Sequence, residues 1–309
     1  SRSVFFAQDA QHRHVAIKLV KKNSDEYRIA CFLHECSGVA VERCIIPILE
    51  IIDCEEHAFM VMPRWGEIDS TRWFYTMRGA LDYVHSTLKG LAFLHAHGIV
   101  HRDLKEDNIM CNHFGSHFLR QQLATQQKLV FAIADFDLSL MLPPSSQPRC
   151  CRLPTRRSWE VIVEFTHDVL QGELDYDPFL LDVGTLGLLF ARYFEKLISL
   201  APMLAPLIDG MVTDDLSRRF TASEALQFFE QTADSVPTGN LDIRVDFPFA
   251  YEPAPAPDRV YSDRWVGLPP DFVAKWSAYR VQKPDLLTRV LRWFCSLNAR
   301  TFFMVQSIR

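Results

Sequence analysis

The 309-residue chain is 48% hydrophobic and 23% charged, with 33 Lys and Arg against 38 Asp and Glu for a net charge of −5. That length supplies enough apolar material for a sizeable folded domain with an appendage, while the acidic balance argues against a nucleic-acid partner. No run of 18 apolar residues occurs and the first residues lack a charged-then-apolar leader pattern, so the chain reads as soluble, without a transmembrane segment, and intracellular, most simply cytoplasmic. Eight cysteines without a C-x-x-C pair read as buried thiols, not as a disulfide frame or a zinc site.

Taken in chain order, Val4-Phe5-Phe6 and then Val15-Ala16-Ile17-Lys18 read as strands, the second ending on a lysine. The segment SDEYRIACFLHEC predicts a helix in which Ile29 and Leu33 follow Glu26 at helical spacing, and Glu35 lies near its end. His57 to Gly66 reads as a buried strand that runs into a turn after Pro63. Leu81, Val84, Leu88, Leu91 and Leu94 recur with helical period, and Gly98 supplies a stop after His97. This helix feeds His101-Arg102-Asp103-Leu104-Lys105-Glu106-Asp107-Asn108-Ile109-Met110, which sets a carboxylate (Asp103), an ammonium (Lys105) and an amide (Asn108) close together. Phosphoryl transfer asks a protein for charge placement more than for covalent chemistry, and that trio suits it.

The string HFGSHFLRQQLATQQ that follows reads as a polar loop, with His113 and His117 solvated and not holding a metal. Leu129 to Ala134 is an apolar run expected as a buried strand, and it delivers Asp135-Phe136-Asp137. Residues 142–171 are rich in Pro, Ser and Arg and read as a mobile loop. Asp182-Val183-Gly184-Thr185-Leu186-Gly187, with Leu189, Phe190, Tyr193 and Leu197, predicts a buried helix. After about Gln231 the texture changes: PFAYEPAPAPDR reads as an extended Pro-rich linker, and PDFVAKWSAYR and LLTRVLRWFCSL as helices. In the last of these, Leu287, Val290, Leu291 and Phe294 oppose Arg289 and Arg292, a pattern that fits docking on the domain, a partner, or a membrane surface.

Together these strings resemble the protein kinases, over about residues 4 to 230, with Val15-Ala16-Ile17-Lys18 matching V-A-I-K, HRDLKEDN matching H-R-D-x-x-x-x-N and Asp135-Phe136-Asp137 matching D-F-G. The Lys after the catalytic Asp resembles Ser/Thr kinases, and the overall texture is similar to divergent single-domain kinase-like proteins of mushroom-forming fungi. The resemblance implies an α+β, two-lobed fold, with a small β-rich N-lobe over about 1–63, a mostly helical C-lobe over about 67–230, and a Pro-rich linker with helical extension over 231–309. It implies ATP and Mg²⁺ as cofactors and a protein substrate. Asp103 would orient the attacking hydroxyl, Lys105 would offset charge, and Asn108 and Asp135 would hold the metal. Lys18 would hold the α- and β-phosphates with Glu26 as its partner and Glu35 as the fallback; Met62 would be the gatekeeper, and the backbone of Arg64 and Trp65 would meet the adenine edge.

Departures from the family pattern are as specific as the matches. Only seventeen residues precede Lys18 and none is Gly, so the glycine loop over the phosphates has no counterpart, and Val4-Phe5-Phe6 is expected in the family's second strand. The missing initiating Met favours a fragment; the other explanation is a protein without the first strand. Asp137 replaces the mobile Gly of D-F-G. No A-P-E is recognisable; the Arg that its Glu pairs with matches Arg219, and Glu164 or Glu173 would substitute. Arg102 would receive a phosphate from the loop, with Thr155, Ser158 and Thr166 as candidate acceptors, and Asp182 would brace the catalytic loop. The leading function is ATP-dependent phosphorylation of protein Ser or Thr hydroxyls; the alternatives are a pseudokinase acting as a nucleotide-binding or interaction scaffold, and a small-molecule kinase.

Overall fold

The computed structural model describes residues 4–67, 76–115, 117–155, 166, 169, 171–245, 262–297 and 299–308. The chain forms two compact units, Ser1–Pro144 with Arg244–Asp246, and Ser145–Ile243 with Phe247–Arg309. The architecture is mixed α+β: a small antiparallel sheet and a mostly helical remainder.

In the first unit, β1 (Val4–Gln8), β2 (His14–Lys21), β3 (Glu50–Asp53) and β4 (His57–Pro63) form one antiparallel sheet in the order β1-β2-β4-β3. Alternate side chains of a strand share a face, so Ala16, Lys18 and Val20 turn together into the interior. Lys18 is opposite Val4 on one side and Met60 on the other. Helix α1 (Asp25–Glu35) begins at Ser24, whose hydroxyl accepts the Tyr27 N–H at 3.1 Å. Glu26, Ile29, Ala30 and Leu33 form its buried face, and the single turn α2 (Ser37–Ala40) follows.

After β5 (Gly66–Glu67), helix α3 (Met77–Ala96) buries the leucine row read from the sequence, and Gly98 beyond its end takes φ 70°, where a side chain would be strained. The chain then passes through β6 (Ile99–Val100), β7 (Ile109–Cys111), β8 (Phe131–Ile133) and β9 (Leu140–Met141). Strands β5-β7-β8 form a small antiparallel sheet and β6 pairs with β9.

The expected polar loop after β7 is in part a helix, α4 (His117–Thr125). Leu, Gln, Arg and Ala are good helix formers, and Arg120 is buried within it, which the polar composition concealed. The cysteines are also less uniform than expected: all eight are free thiols, but only Cys44, Cys111 and Cys295 are buried, and Cys54 and Cys150 are exposed.

In the second unit β10 (Leu153–Pro154) pairs with β11 (Asp175–Tyr176), and α5 (Pro178–Phe194) is buried along most of its length. Asp177 caps α5 by accepting the N–H groups of Phe179 and Leu180. The helices α6 (Leu204–Val212) and α7 (Ala222–Thr232), the short α8 (Thr238–Leu241), and then α9 (Pro270–Trp276), α10 (Leu286–Ser296) and α11 (Ala299–Ile308) follow among the described residues. Arg219 is fully buried and donates to the carbonyls of Thr213 and Leu180. Thr155 and Thr166 are both buried, so neither hydroxyl is presented to a phosphorylating enzyme in this conformation; Ser158, Glu164 and the Pro-rich stretch lie outside the described residues.

The segment after the Pro-rich stretch is anchored through Asp209 of α6. Its carboxylate accepts Arg264 Nη1 at 2.8 Å, Trp265 Nε1 at 2.8 Å and the Val281 N–H at 3.0 Å. Both members of the Asp209–Arg264 pair are buried, and in the same segment Trp276 and Tyr279 pack their rings on each other and on Phe228. Removing one partner of such a pair leaves a buried charge uncompensated. Asp209→Ala is therefore expected to lower the unfolding free energy by roughly 3–5 kcal/mol in urea titration, and to expose residues 262–281 to limited proteolysis.

Candidate active site

The candidate site is built within the first unit, from β2, α1, the loop between β6 and β7, and the segment after β8. Lys18 Nζ lies 2.5 Å from Glu26 Oε1 and 2.6 Å from Asp135 Oδ1, with the lysine and glutamate side chains almost wholly buried. Burial works against the charge on Lys18, but Asp135 and Glu26 outweigh it and hold its pKa above the ordinary value. The two carboxylates respond differently. Burial pushes Glu26 up despite Lys18, with Asp137 and Asp135 adding repulsion. Asp135 is also desolvated, yet Lys18 overrides that and holds it below the ordinary range. Asp135 itself has φ 61°, a left-handed backbone that Asp tolerates better than most residues. Glu35, the fallback partner, lies at the far end of α1 from Glu26.

The loop between β6 and β7 holds the second cluster. Asn108 Nδ2 donates to the Asp103 carbonyl at 2.7 Å and to Asp103 Oδ2 at 2.8 Å, and Lys105 Nζ reaches the same Oδ2 at 2.7 Å. Lys105 is partly desolvated, but its bond to Asp103 and the nearby carboxylates Asp107 and Asp135 raise its pKa. The loop is pinned from beneath by His101. Its Nδ1 accepts the Asp103 N–H at 3.3 Å, which places the ring proton on Nε2, 3.0 Å from the Ala134 carbonyl. Ala134 N–H in turn donates to the Asn108 carbonyl at 2.8 Å, so the Asp103 loop and the strand leading to Asp135 are stitched together. Phe136 is buried with its ring 5.5 Å from that of His101. Arg102 is buried at φ 67° and directs Nη1 toward the Leu138 carbonyl.

The oxygens in this arrangement fit a hard divalent cation. Both Asn108 bonds use Nδ2 and the Lys18 bond uses Asp135 Oδ1, which leaves Asn108 Oδ1 and Asp135 Oδ2 as donors. Among the described residues no group of three or more His, Cys, Asp and Glu is placed to hold a metal by itself. Two protein oxygens completed by phosphate oxygens is the usual protein share for Mg²⁺.

Around the turn after β4, Met62 is half-buried opposite Ala16, and the Arg64 N–H donates to the His14 carbonyl at 3.0 Å. Trp65 is half-buried. Sequence reasoning missed what surrounds Arg64: its guanidinium carbon stands 4.1 Å from the Phe6 ring centroid and 4.5 Å from that of Phe114, while Phe114 also meets His14 edge-on at 4.9 Å. Phe114 belongs to the segment between β7 and α4, and the residues after β7 come close enough that a Cβ on Gly66 would lie 2.3 Å from the His113 carbonyl. No periodicity marks these contacts; the aromatic residue beside Gly115 was the one available signal.

A protein-family model described as "protein kinase domain" matches residues 2–175, more than half of the chain. The chain belongs to the protein kinase family. Among curated relatives, it is 27% identical over 256 residues to the human "serine/threonine-protein kinase H1", covering 74% of this chain and 57% of that protein. It is 26% identical over 253 residues to the zebrafish "serine/threonine-protein kinase H1 homolog", with the same coverage. It is 27% identical over 205 residues to the Arabidopsis thaliana "serine/threonine-protein kinase GRIK2", covering 57% of this chain and 46% of that one. The chain thus spans about half the length of the curated relatives it matches.

The Lys18–Asp135 pair in this kinase domain has a pH signature. Because the folded-state pKa of Asp135 is depressed, its ion pair contributes fully above the ordinary aspartate range and is lost as pH falls through and below it. The stability difference between wild type and Asp135→Asn, measured by denaturant titration, is expected to be constant from about pH 5 upward and to shrink on acidification. A difference that grows toward low pH would contradict the assigned pairing.

Proposed function

We propose that this kinase-family chain binds Mg²⁺ and ATP and transfers the γ-phosphoryl group to a Ser or Thr hydroxyl of a protein substrate. The observation that carries the reading is the joint placement of two charge sets: Lys18 between Glu26 and Asp135, and Asp103 held by Asn108 and Lys105. Lys18 would bind the α- and β-phosphates, its orientation fixed by Glu26. Met62, the Arg64 carbonyl and the Trp65 backbone would receive the adenine, the Arg64 N–H being held by His14. Asn108 and Asp135 would hold Mg²⁺, which when bound supplies charge neutralisation at the phosphate oxygens.

The protein's own part in the transfer is positional. Lys105 and Asn108 both bind Asp103 Oδ2, so Oδ1 is the oxygen left to orient the acceptor hydroxyl and take its proton. Lys105 stands beside it to offset the charge that develops on the moving phosphoryl group. The relatives named as serine/threonine kinases support the choice of hydroxyl, as does Lys105 two residues after Asp103.

A second reading, a nucleotide-binding scaffold with little turnover, is favoured by Asp137, whose carboxylate adds repulsion at Glu26 where the family carries Gly. Incubation with labelled Mg·ATP and a generic Ser/Thr substrate separates the two. Under the enzyme reading the wild type transfers label and Asp103→Asn lowers the rate by about 10²–10⁴-fold while nucleotide still raises its melting temperature. Nucleotide-dependent stabilisation of the wild type without transfer would establish the scaffold reading.

A further inference from the structure

The helices α10 and α11 form a hairpin whose inner positions are already satisfied. Cys295, Phe302 and Val305 are buried together, with Leu291 and Phe294 packed against them. The hairpin is fixed to the second unit by Arg292 to Asp214 at 3.0 Å and by Gln306 Nε2 to the Glu173 carbonyl at 2.7 Å. Gly172 lies so close beneath it that a Cβ there would meet Val305 Cγ1 at 2.6 Å.

A second apolar stripe runs along the other side of α10. Leu286, Val290, Trp293 and Leu297 recur at intervals of four, three and four residues, which places them along one line of a helix, and they are 74%, 53%, 61% and 50% exposed. On α11, Met304 and Ile308 are exposed as well. The positions of α10 that close the hairpin are others: Leu291, Phe294 and Cys295.

The sequence that carries the stripe is basic within an acidic chain. Residues 275–309 contain seven Lys and Arg and a single acidic residue, Asp285, within a chain of net charge −5. Arg289 flanks Trp293 one turn before it, Arg300 lies among the exposed residues of α11, and Lys283 stands just ahead of α10; all three are exposed. Asp285 is occupied as the cap of α10, accepting the Thr288 N–H at 2.7 Å. Exposed Leu, Val and Trp bordered by Arg and Lys is the pattern of a helix that lies in the plane of a lipid headgroup layer. An anionic surface complements these exposed cations. Among the described residues no helix is long and apolar enough to cross a membrane, so contact would be peripheral.

We propose that the outer face of the α10–α11 hairpin docks on an anionic phospholipid bilayer, with Leu286, Val290, Trp293 and Leu297 inserted among the headgroups and Arg289, Arg300 and Lys283 paired with lipid charge. Its test is co-sedimentation of the full 309-residue chain with sucrose-loaded vesicles, either phosphatidylcholine alone or phosphatidylcholine with about a third phosphatidylserine. The wild type is expected to partition about tenfold or more in favour of the anionic vesicles, with the preference falling as salt is added. Val290→Glu with Leu297→Glu changes only exposed positions, so melting should be unaltered while binding to anionic vesicles drops about tenfold or more. Arg289→Glu with Arg300→Glu should erase the preference for phosphatidylserine. No binding, equal binding to neutral vesicles, or wild-type binding by folded variants would overturn the proposal. So would self-association in sedimentation velocity that Val290→Glu abolishes, which would assign the stripe to a second copy of the chain.

Discussion

The first unit is organised around one buried ammonium. Lys18 enters from the central region of the sheet, Glu26 from the first turn of α1, and Asp135 from the segment that leaves β8. Three separate pieces of chain are thus drawn to one point by charge, and the net negative balance of the trio keeps the lysine protonated where burial alone would favour its neutral form. Desolvating such groups is costly, so they persist together only if each is compensated by the others. The same geometry bonds the lysine to Oδ1 of Asp135, and under the proposed function the other carboxylate oxygen would serve the cation.

The Asp103 loop obeys a related logic with hydrogen bonds in place of burial. His101 is bonded at both ring nitrogens, Ala134 at both its N–H and its carbonyl, and Asn108 at its amide and its backbone carbonyl. Each bond is modest alone, but a closed network leaves little freedom for any member. Around the turn after β4, Phe6, Arg64, His14 and Phe114 link the edge of the large sheet to the segment between β7 and α4. Aromatic and guanidinium surfaces therefore crowd the β1 edge of that sheet.

Much of this was legible in the sequence because the decisive features are local. The V-A-I-K string, the leucine row of α3 and the HRDLKEDN motif each combine a periodic apolar pattern with polar residues at fixed offsets, and such patterns survive without tertiary information. Glu26 was legible for the same reason: Ile29 and Leu33 define the buried face that it shares. What escaped was set by tertiary packing. Helix α4 was hidden by its polar composition, since the burial of Arg120 depends on neighbours remote in sequence. The exposure of Cys54 and Cys150, the grouping at Arg64 and the three donors on Asp209 likewise follow from contacts that no spacing rule encodes. In the tail α9 and α10 were read as helices and α11 was not, and the single stripe expected on α10 divides, with Leu291 and Phe294 packed inward and Leu287 and Val290 exposed, a distinction that appears only when α11 is in place.

The Asp209 anchor bears on how this protein can be handled. The family match ends at residue 175, and a conventional choice of boundary near the close of the recognisable motifs would cut before Arg264. Such a truncation would strip α6 of the guanidinium, the indole N–H and the backbone amide that now neutralise its carboxylate, and would bare the ring faces of Phe220 and Phe228 that Trp276 and Tyr279 cover. A truncation meant to keep α6 and its ring neighbours covered therefore extends at least through Val281, well past residue 175 where the family match ends.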